Sequence, residues 1–411
     1  MQSDSTFRIA IRRFDPFESA IRRQWESFES KAQTGLTLEA EAFDLPALSE
    51  VLFGPESTVS GSWDVAFVNT DWVAAAHRQK RLVDLSSYLA KDPPDGYPSA
   101  WTPSLLRLQN LDGFIAGMPY HDGPECLIFR RDLFDDPREQ AAYQEMSGQP
   151  LRLPSTWREF HQIARFFHRP SKGMYGTVFA AFPDGHNTVY DFLLQLWTHG
   201  GEIFGRDGSL DLNTHAAREA LTWYRSILLD ATAVHPRCRE MDSVQSGLAF
   251  AAGEAAMMVN WFGFAAMCET MPGCRVKGRV DIGPVPHDEN YVSASLNVYW
   301  LLAIPTTCPH RDVAYAFLCH CMTAEMDKLL TLEGGIGCRR STWLDPDVAR
   351  VAPFFSRLPQ LHENARELPC RADWPAIAHV IDDLVIQTIG SSDPIPLILE
   401  RAQNKAREMQ S

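Results

Sequence analysis

The groups in this chain suited to chemistry are aromatic rings, one carboxylate and two pairs of arginines, set at the ends of apolar runs. Their types suggest recognition rather than bond breaking. Residues 247–264, GLAFAAGEAAMMVNWFGF, carry the clearest case. Small residues predict a helix that breaks at Gly253, and 255–259 reads as an apolar strand ending on Asn260, Trp261, Phe262 and Gly263. A large aromatic at the carboxyl end of a buried strand points into the crevice where open α/β sheets take ligands. The same pattern also suits a core tryptophan that merely caps the strand. Asp71 and Trp72 follow a second apolar run, 63–69. There Asp71 either accepts hydrogen bonds from adjacent hydroxyls or caps the helix expected over 72–79. Arg12, Arg13 and Phe14 lie between a strand, 7–11, and the helix that opens at Asp15-Pro16, again on the ligand side of a parallel sheet. Arg339 and Arg340 follow the Gly334-Gly335 turn. A guanidinium there suits a carboxylate, phosphate or sulfonate, or a fork of hydroxyls.

Catalytic and cofactor signatures are missing. The chain has no Gly-x-Gly-x-x-Gly, no phosphate loop ending Gly-Lys-Ser/Thr and no Gly-x-Ser-x-Gly elbow. Cys319-His320-Cys321 has metal-ligand residue types, but consecutive positions on a helix point apart. No cofactor and no metal are expected.

The elements that must position these groups alternate strand and helix. Phe17, Ile21, Trp25 and Phe28 form one inward helix face, and Trp157, Phe160, Ile163 and Phe166 another, behind a Ser155 or Thr156 cap. A strand is expected over 175–182. The helix after the loop 183–187 carries Tyr190 and Trp197, seven apart on one face that is either core or ligand wall. Asn213 or Thr214 caps a helix with the core stripe Ala217, Leu221, Tyr224 and Leu228. A buried strand over 297–304, with Tyr299 near its start, and one long helix over 311–330 complete the series.

Several stretches in order resemble the carbohydrate-binding family of extracellular solute-binding proteins of ABC importers. They are SWDVAFVNTDWV (62–73), GFIAGMPY (113–120), LPSTWREF (153–160), LQLWTHGGEIF (194–204), the 247–264 stretch itself, VDIGPVPH (280–287), LLAIP (301–305) and LEGGIGCRRS (332–341). The resemblance implies an α/β fold of two lobes, each a mainly parallel sheet flanked by helices, joined by a hinge. The lobes would be 1–123 with the return segment 287–322, and 124–286 with the C-terminal helices 323–411. It implies a non-enzymatic binding protein that closes on a sugar or sugar derivative and delivers it to permease subunits, working as a monomer. Aromatic rings would stack on the sugar and polar groups pair its hydroxyls. The ligand contacts implied are Arg13, Phe14, Asp71, Trp72, Tyr120, His121, Tyr190, Trp197, Trp261, Phe262, Tyr299, Gly335, Arg339 and Trp374. Gly335 would let backbone amides of a closing loop approach the ligand. The arginines leave an acidic sugar derivative, glycerol phosphodiester or sulfonate as the alternative ligand. A glycosidase or a cytoplasmic sensor on the same fold are alternatives of other classes.

Composition sets the outer bounds. The 411 residues suffice for two or three domains with a large core. Acidic residues outnumber basic ones by 52 to 38, giving a net charge of −14, which argues against nucleic acid and anionic membranes as partners. The first strand begins after six polar residues, so a mature periplasmic or extracellular form lacking its leader, or a cytoplasmic protein, is expected. Nine cysteines leave at least one free thiol and favour the latter. Only Cys268 and Cys274, flanking a Met-Pro-Gly turn, are locally placed for a disulfide.

Overall fold

The computed structural model describes residues 5–54 and 63–410; Ser62, which opens one of the stretches above, lies outside them. The chain forms two compact units. The first comprises residues 1–123, 298–359 and 367–374, and the second 124–297, 360–366 and 375–411. The return to the first unit thus falls at 297/298 rather than 286/287. Residues 323–359 pack in the first unit, not the second as the sequence suggested. The reason is a seam between helices: buried Gln24 of the helix Asp15–Ala32 donates from Nε2 to the Met326 carbonyl at 3.1 Å.

The first unit's sheet has the order Thr37–Phe43, Thr6–Arg12, Val65–Asn69, Trp300–Ala303, Met118–His121. The first three strands run parallel, and Trp300–Ala303 is antiparallel to both of its neighbours. The second unit's sheet has the order Val280–Gly283, Glu125–Arg130, Ala255–Trp261, Tyr175–Val178. Only its last pair is parallel. Both sheets are therefore mixed, not mainly parallel. Parallel neighbours need a crossover helix. The two strands that enter a sheet just after the chain changes unit, Glu125–Arg130 and Trp300–Ala303, insert antiparallel.

Local signals set most element ends. Thr156 caps the helix Trp157–Phe167, its hydroxyl accepting the Glu159 N–H while the Glu159 carboxylate answers the Thr156 N–H. Thr214 caps His215–Leu228 singly, its hydroxyl accepting the Ala217 N–H at 3.1 Å. Asp15 is not a cap: Phe14 holds that position and Asp15 lies in the first turn. The buried face of Trp157–Phe167 uses Phe167, while Phe166 is half-buried under the Arg169 guanidinium. The strand expected over 175–182 stops at Val178. The one over 297–304 is two, Ser295–Asn297 and Trp300–Ala303. The long helix over 311–330 is also two, Arg311–Cys321 and Ala324–Leu332. Thr323 stops the first and caps the second, its hydroxyl accepting the Met326 N–H at 3.4 Å.

Helix and sheet meet most closely in the second unit at Gly176. A Cβ there would lie 1.8 Å from the Ala164 carbonyl oxygen, so backbone touches backbone. Gly176→Ala is expected to cost about 3 kcal/mol or more, since neither main chain can yield. A urea-unfolding midpoint checks this, and an unchanged midpoint would contradict the packing described.

Candidate functional site

In the second unit the central strand Ala255–Trp261 is buried along its length except at Trp261. Asn260 fixes that end. Its Oδ1 accepts the Trp261 N–H at 2.8 Å, and its Nδ2 donates to the Ser243 carbonyl and to Ser246 Oγ, each at 3.1 Å. Trp261 then begins the helix Phe262–Thr270, with its ring half-exposed. Tyr190 stands edge-on to that ring, centroids 5.7 Å apart at 88°. Tyr190 itself is placed by the helix Asn187–Thr198, whose start is held by Asp184: Oδ1 accepts the His186 and Asn187 N–H groups at 2.9 and 2.8 Å.

Two acids that the sequence reading passed over lie at this place. Glu125 pairs in register with Trp261 across the antiparallel ladder. It is buried, and its Oε2 has no hydrogen-bond partner among the described residues. Burial, reinforced by the charge of Asp191, pushes the Glu125 carboxyl well above the usual range. Asp191, one residue after Tyr190, accepts the Tyr224 hydroxyl at 2.5 Å. Burial raises its pKa to about 7 against that hydrogen bond. Gln195 lies one helical turn beyond Asp191, buried, with Oε1 unpartnered among the described residues. The signals existed in the sequence: an acid in PECLIF, and an Asp and a Gln four apart in an otherwise apolar helix.

The first unit presents its own edge. The parallel strands place Arg13, Phe14 and Asp71 just beyond their carboxyl ends, and Trp300 pairs in register with Asn69 on one side and His121 on the other. Trp72 and Trp300 meet edge to face, centroids 5.8 Å apart at 88°. Asn69 Oδ1 accepts the Asp71 N–H at 3.2 Å, which aims the short turn. Asp71 is half-buried, and Arg13 is exposed with one Nη on the Ala42 carbonyl at 3.0 Å.

Seven of the expected side-chain contacts are buried or bonded within their own unit. Tyr120 is buried, its hydroxyl donating to Gln24 Oε1 at 2.9 Å. Tyr299 is fully buried, its hydroxyl donating to the Leu105 carbonyl at 2.9 Å. Phe262 and Trp374 are core residues. His121 accepts the Ile336 N–H on Nδ1 at 2.9 Å. Burial lowers its pKa to about 4, so it is neutral. Trp197 is buried, with the Arg366 guanidinium 4.7 Å above its ring. Arg339 is buried over the Trp101 ring at 4.9 Å, and its Nη1 donates to the Asp95 and Met322 carbonyls, both at 2.8 Å.

The glycine turn also differs from expectation. The amides of Gly334 and Gly335 donate to the carbonyls of Thr331 and Leu330. Ile336 donates to His121, Gly337 to Thr331 Oγ1, and Cys338 and Arg339 to the buried carboxylate of Asp327. Every amide from 334 to 339 is thus bonded inside the first unit. Gly335 is required because a Cβ would come within 2.5 Å of Leu330 Cδ1, not to open backbone to a ligand.

Two outcomes follow. Arg339→Ala should lose about 2–4 kcal/mol of stability, as the buried Met322 carbonyl and the part-buried bond to Asp95 lose their donor, while ligand affinity stays as in the parent; denaturation and titration calorimetry separate the two. Asp191 titrates near 3.8 unfolded and about 7 folded, so the folded state holds its proton longer. Its contribution to stability is present below pH 3.8 and is lost as pH rises through 7. His121 works oppositely, its contribution being lost as pH falls from 6.5 through 4. Asp191→Asn should therefore raise the melting temperature at pH 8 by roughly 2–4 °C and leave it nearly unchanged at pH 4. Equal shifts at both pH values would contradict a protonated Asp191.

Comparison with known proteins agrees with the fold. The chain is 23% identical to a solute-binding protein of Agrobacterium radiobacter K84 solved with ribitol, with a TM-score of 0.86 over 98% of both chains. Maltose-bound MalE3 of T. maritima superposes with a TM-score of 0.86 at 18% identity, covering 98% of this chain and 99% of that one. In sequence it is 24% identical over 275 residues to the mannitol-binding protein of Pseudomonas aeruginosa, which is 64% of this chain and 60% of that one. A binding protein of Brucella abortus is 24% identical over 220 residues, 52% of this chain and 47% of that one. The chain thus spans about half the length of the Brucella relatives it matches. Residues 48–328 match the family profile itself, and the chain belongs to the bacterial extracellular solute-binding proteins.

Proposed function

We propose that this chain is the ligand-capturing component of an ABC importer and that its ligand is a neutral sugar or polyol. The observation that carries this reading is the wall made by Trp261, Tyr190, Glu125 and Asp191 in the second unit. A half-exposed indole face suits the C–H face of a polyhydroxy compound. A carboxyl group held near its neutral form both donates to and accepts from hydroxyls. Ribitol, mannitol and maltose, named for the relatives above, are neutral polyhydroxy compounds, which supports the same class. Arg13, Phe14, Asp71 and Trp72 supply the first unit's contacts. The chain then hands its cargo to permease subunits outside the cytoplasm, as a monomer, and catalyses nothing itself. An acidic ligand would draw less on Arg339, whose Nη1 donates to two main-chain carbonyls.

A thermal-shift series against ribitol, mannitol, maltose, gluconate and sugar phosphates tests the reading. A neutral ligand at a thousandfold excess over its Kd stabilises the fold by about 4 kcal/mol. Trp261→Ala should weaken that ligand about 10- to 100-fold. Shifts with anions alone, or release of product from a glycoside, would overturn the proposal.

A further inference from the structure

A hollow in the first unit gathers basic side chains from two distant segments. It encloses about 520 Å³ and is lined by His77, Arg78, Lys80, Phe114, Thr306 and Arg311, with Asp84 among its other residues. The backbone beneath them is fixed. The helix Val73–Arg78 is closed by the Lys80 N–H on the His77 carbonyl and the Arg81 N–H on the Ala76 carbonyl, each at 2.9 Å. The Val83 N–H then reaches the Ile304 carbonyl at 2.8 Å, and the Thr306 N–H the Arg81 carbonyl at 2.9 Å. Trp300 pairs with Asn69 and Ala303 with Ala66, so Thr306 lies past the sheet end opposite Asp71 and Trp72. The hollow is therefore separate from the ligand edge of this unit.

Local structure does not account for these charges. Lys80 has a φ of 55°, in the left-handed region that favours glycine. Arg311 is the first residue of the helix Arg311–Cys321, the end at which a helix dipole disfavours a cation. Only His77 and Arg78, in the last turn of their helix, stand where the dipole favours positive charge. Among the described residues the Arg78 and Lys80 side chains have no hydrogen bond or ion pair, and Arg311 uses one Nη on the Thr306 carbonyl at 2.6 Å. The nearby acids are already engaged. Asp84 Oδ1 accepts the Ser86 and Ile115 N–H groups at 2.9 and 3.0 Å, and Oδ2 the Ser86 hydroxyl at 2.8 Å. The Asp373 carboxyl, lowered chiefly by Arg371 and slightly by Arg78, is paired with Arg371 at 2.7 Å.

We propose that this hollow binds a small anion carrying several carboxylate or phosphate groups, although the chain as a whole has a net charge of −14. Lys80, Arg78 and Arg311 pair its charges. Phe114, set against His77 with ring centroids 4.3 Å apart, supplies an apolar wall. A neighbouring hollow shares His77, Arg78 and Phe114 but adds Asp112, which directs the anion towards Lys80 and Arg311.

Titration calorimetry of the full chain with citrate and with pyrophosphate, at constant ionic strength, is the test, with acetate as the singly charged comparison. Saturable one-to-one binding of at least one of the two, tighter than acetate, is the expected result. Binding of citrate alone assigns the hollow to carboxylates, and of pyrophosphate alone to phosphates. Lys80→Gly suits the left-handed backbone, so the melting temperature should hold or rise while the anion binds about 5-fold more weakly or worse. Arg311→Gln should weaken it similarly. Arg152→Gln, which removes an exposed arginine outside the hollow, should leave the affinity as in the parent. Lys80→Gly decides the matter even if Arg311→Gln folds poorly. No saturable binding, parental affinity in Lys80→Gly, or an equal loss in Arg152→Gln would each overturn the proposal.

Discussion

A strand covered on both faces can hold polar groups only at its ends, and the second unit is arranged around that constraint. Ala255–Trp261 lies between two other strands, and its side chains are apolar until Asn260. There the amide side chain satisfies the turn and a neighbouring helix at once. Only then does the ring of Trp261 emerge. The exposed indole is thus a consequence of how the central strand must finish, and the helix after it begins where the strand's hydrogen bonding ends.

The antiparallel neighbour follows from the same constraint. Because Glu125–Arg130 enters the sheet directly after the chain changes unit, its first residue stands opposite the last residue of the central strand. An acid at that first position is buried beside an aromatic ring without an ion-pair partner among the described residues. Desolvation then favours its neutral form. Asp191 is raised by burial too, and its charge adds to the cost of ionising Glu125, as the charge of Asp184 adds to its own. Such groups are costly for stability alone.

In the first unit burial also raises the pKa of an acid, Asp327, but hydrogen-bond donors oppose it. Asp327 is buried and its carboxylate gathers the amides of Cys338 and Arg339 and the hydroxyl of Thr342. Arg339, held nearby, spends its guanidinium on two carbonyls and the Trp101 face. A turn rich in glycine and arginine therefore serves as an internal clamp. Its backbone amides from 334 to 339 are satisfied within their own unit.

Features that depend on neighbours in the chain were legible in the sequence: the central strand ending near Trp261, the caps at Thr156 and Thr214, the break at Gly253 and the family motifs. Each is set by periodicity or by hydrogen bonds reaching three or four residues. Whether a polar side chain is spent or available depends on partners far away in the chain, here 96 to 244 residues apart. Tyr120 and Gln24, Tyr299 and Leu105, and Arg339 and Asp95 are such pairs. Tertiary structure alone also set Glu125 beside Trp261, because strand register joins residues that no local pattern connects. The sequence by itself determined the elements and the family; only packing decided which of its polar and aromatic groups remained for a ligand, since burial and pairing are properties of the whole folded unit.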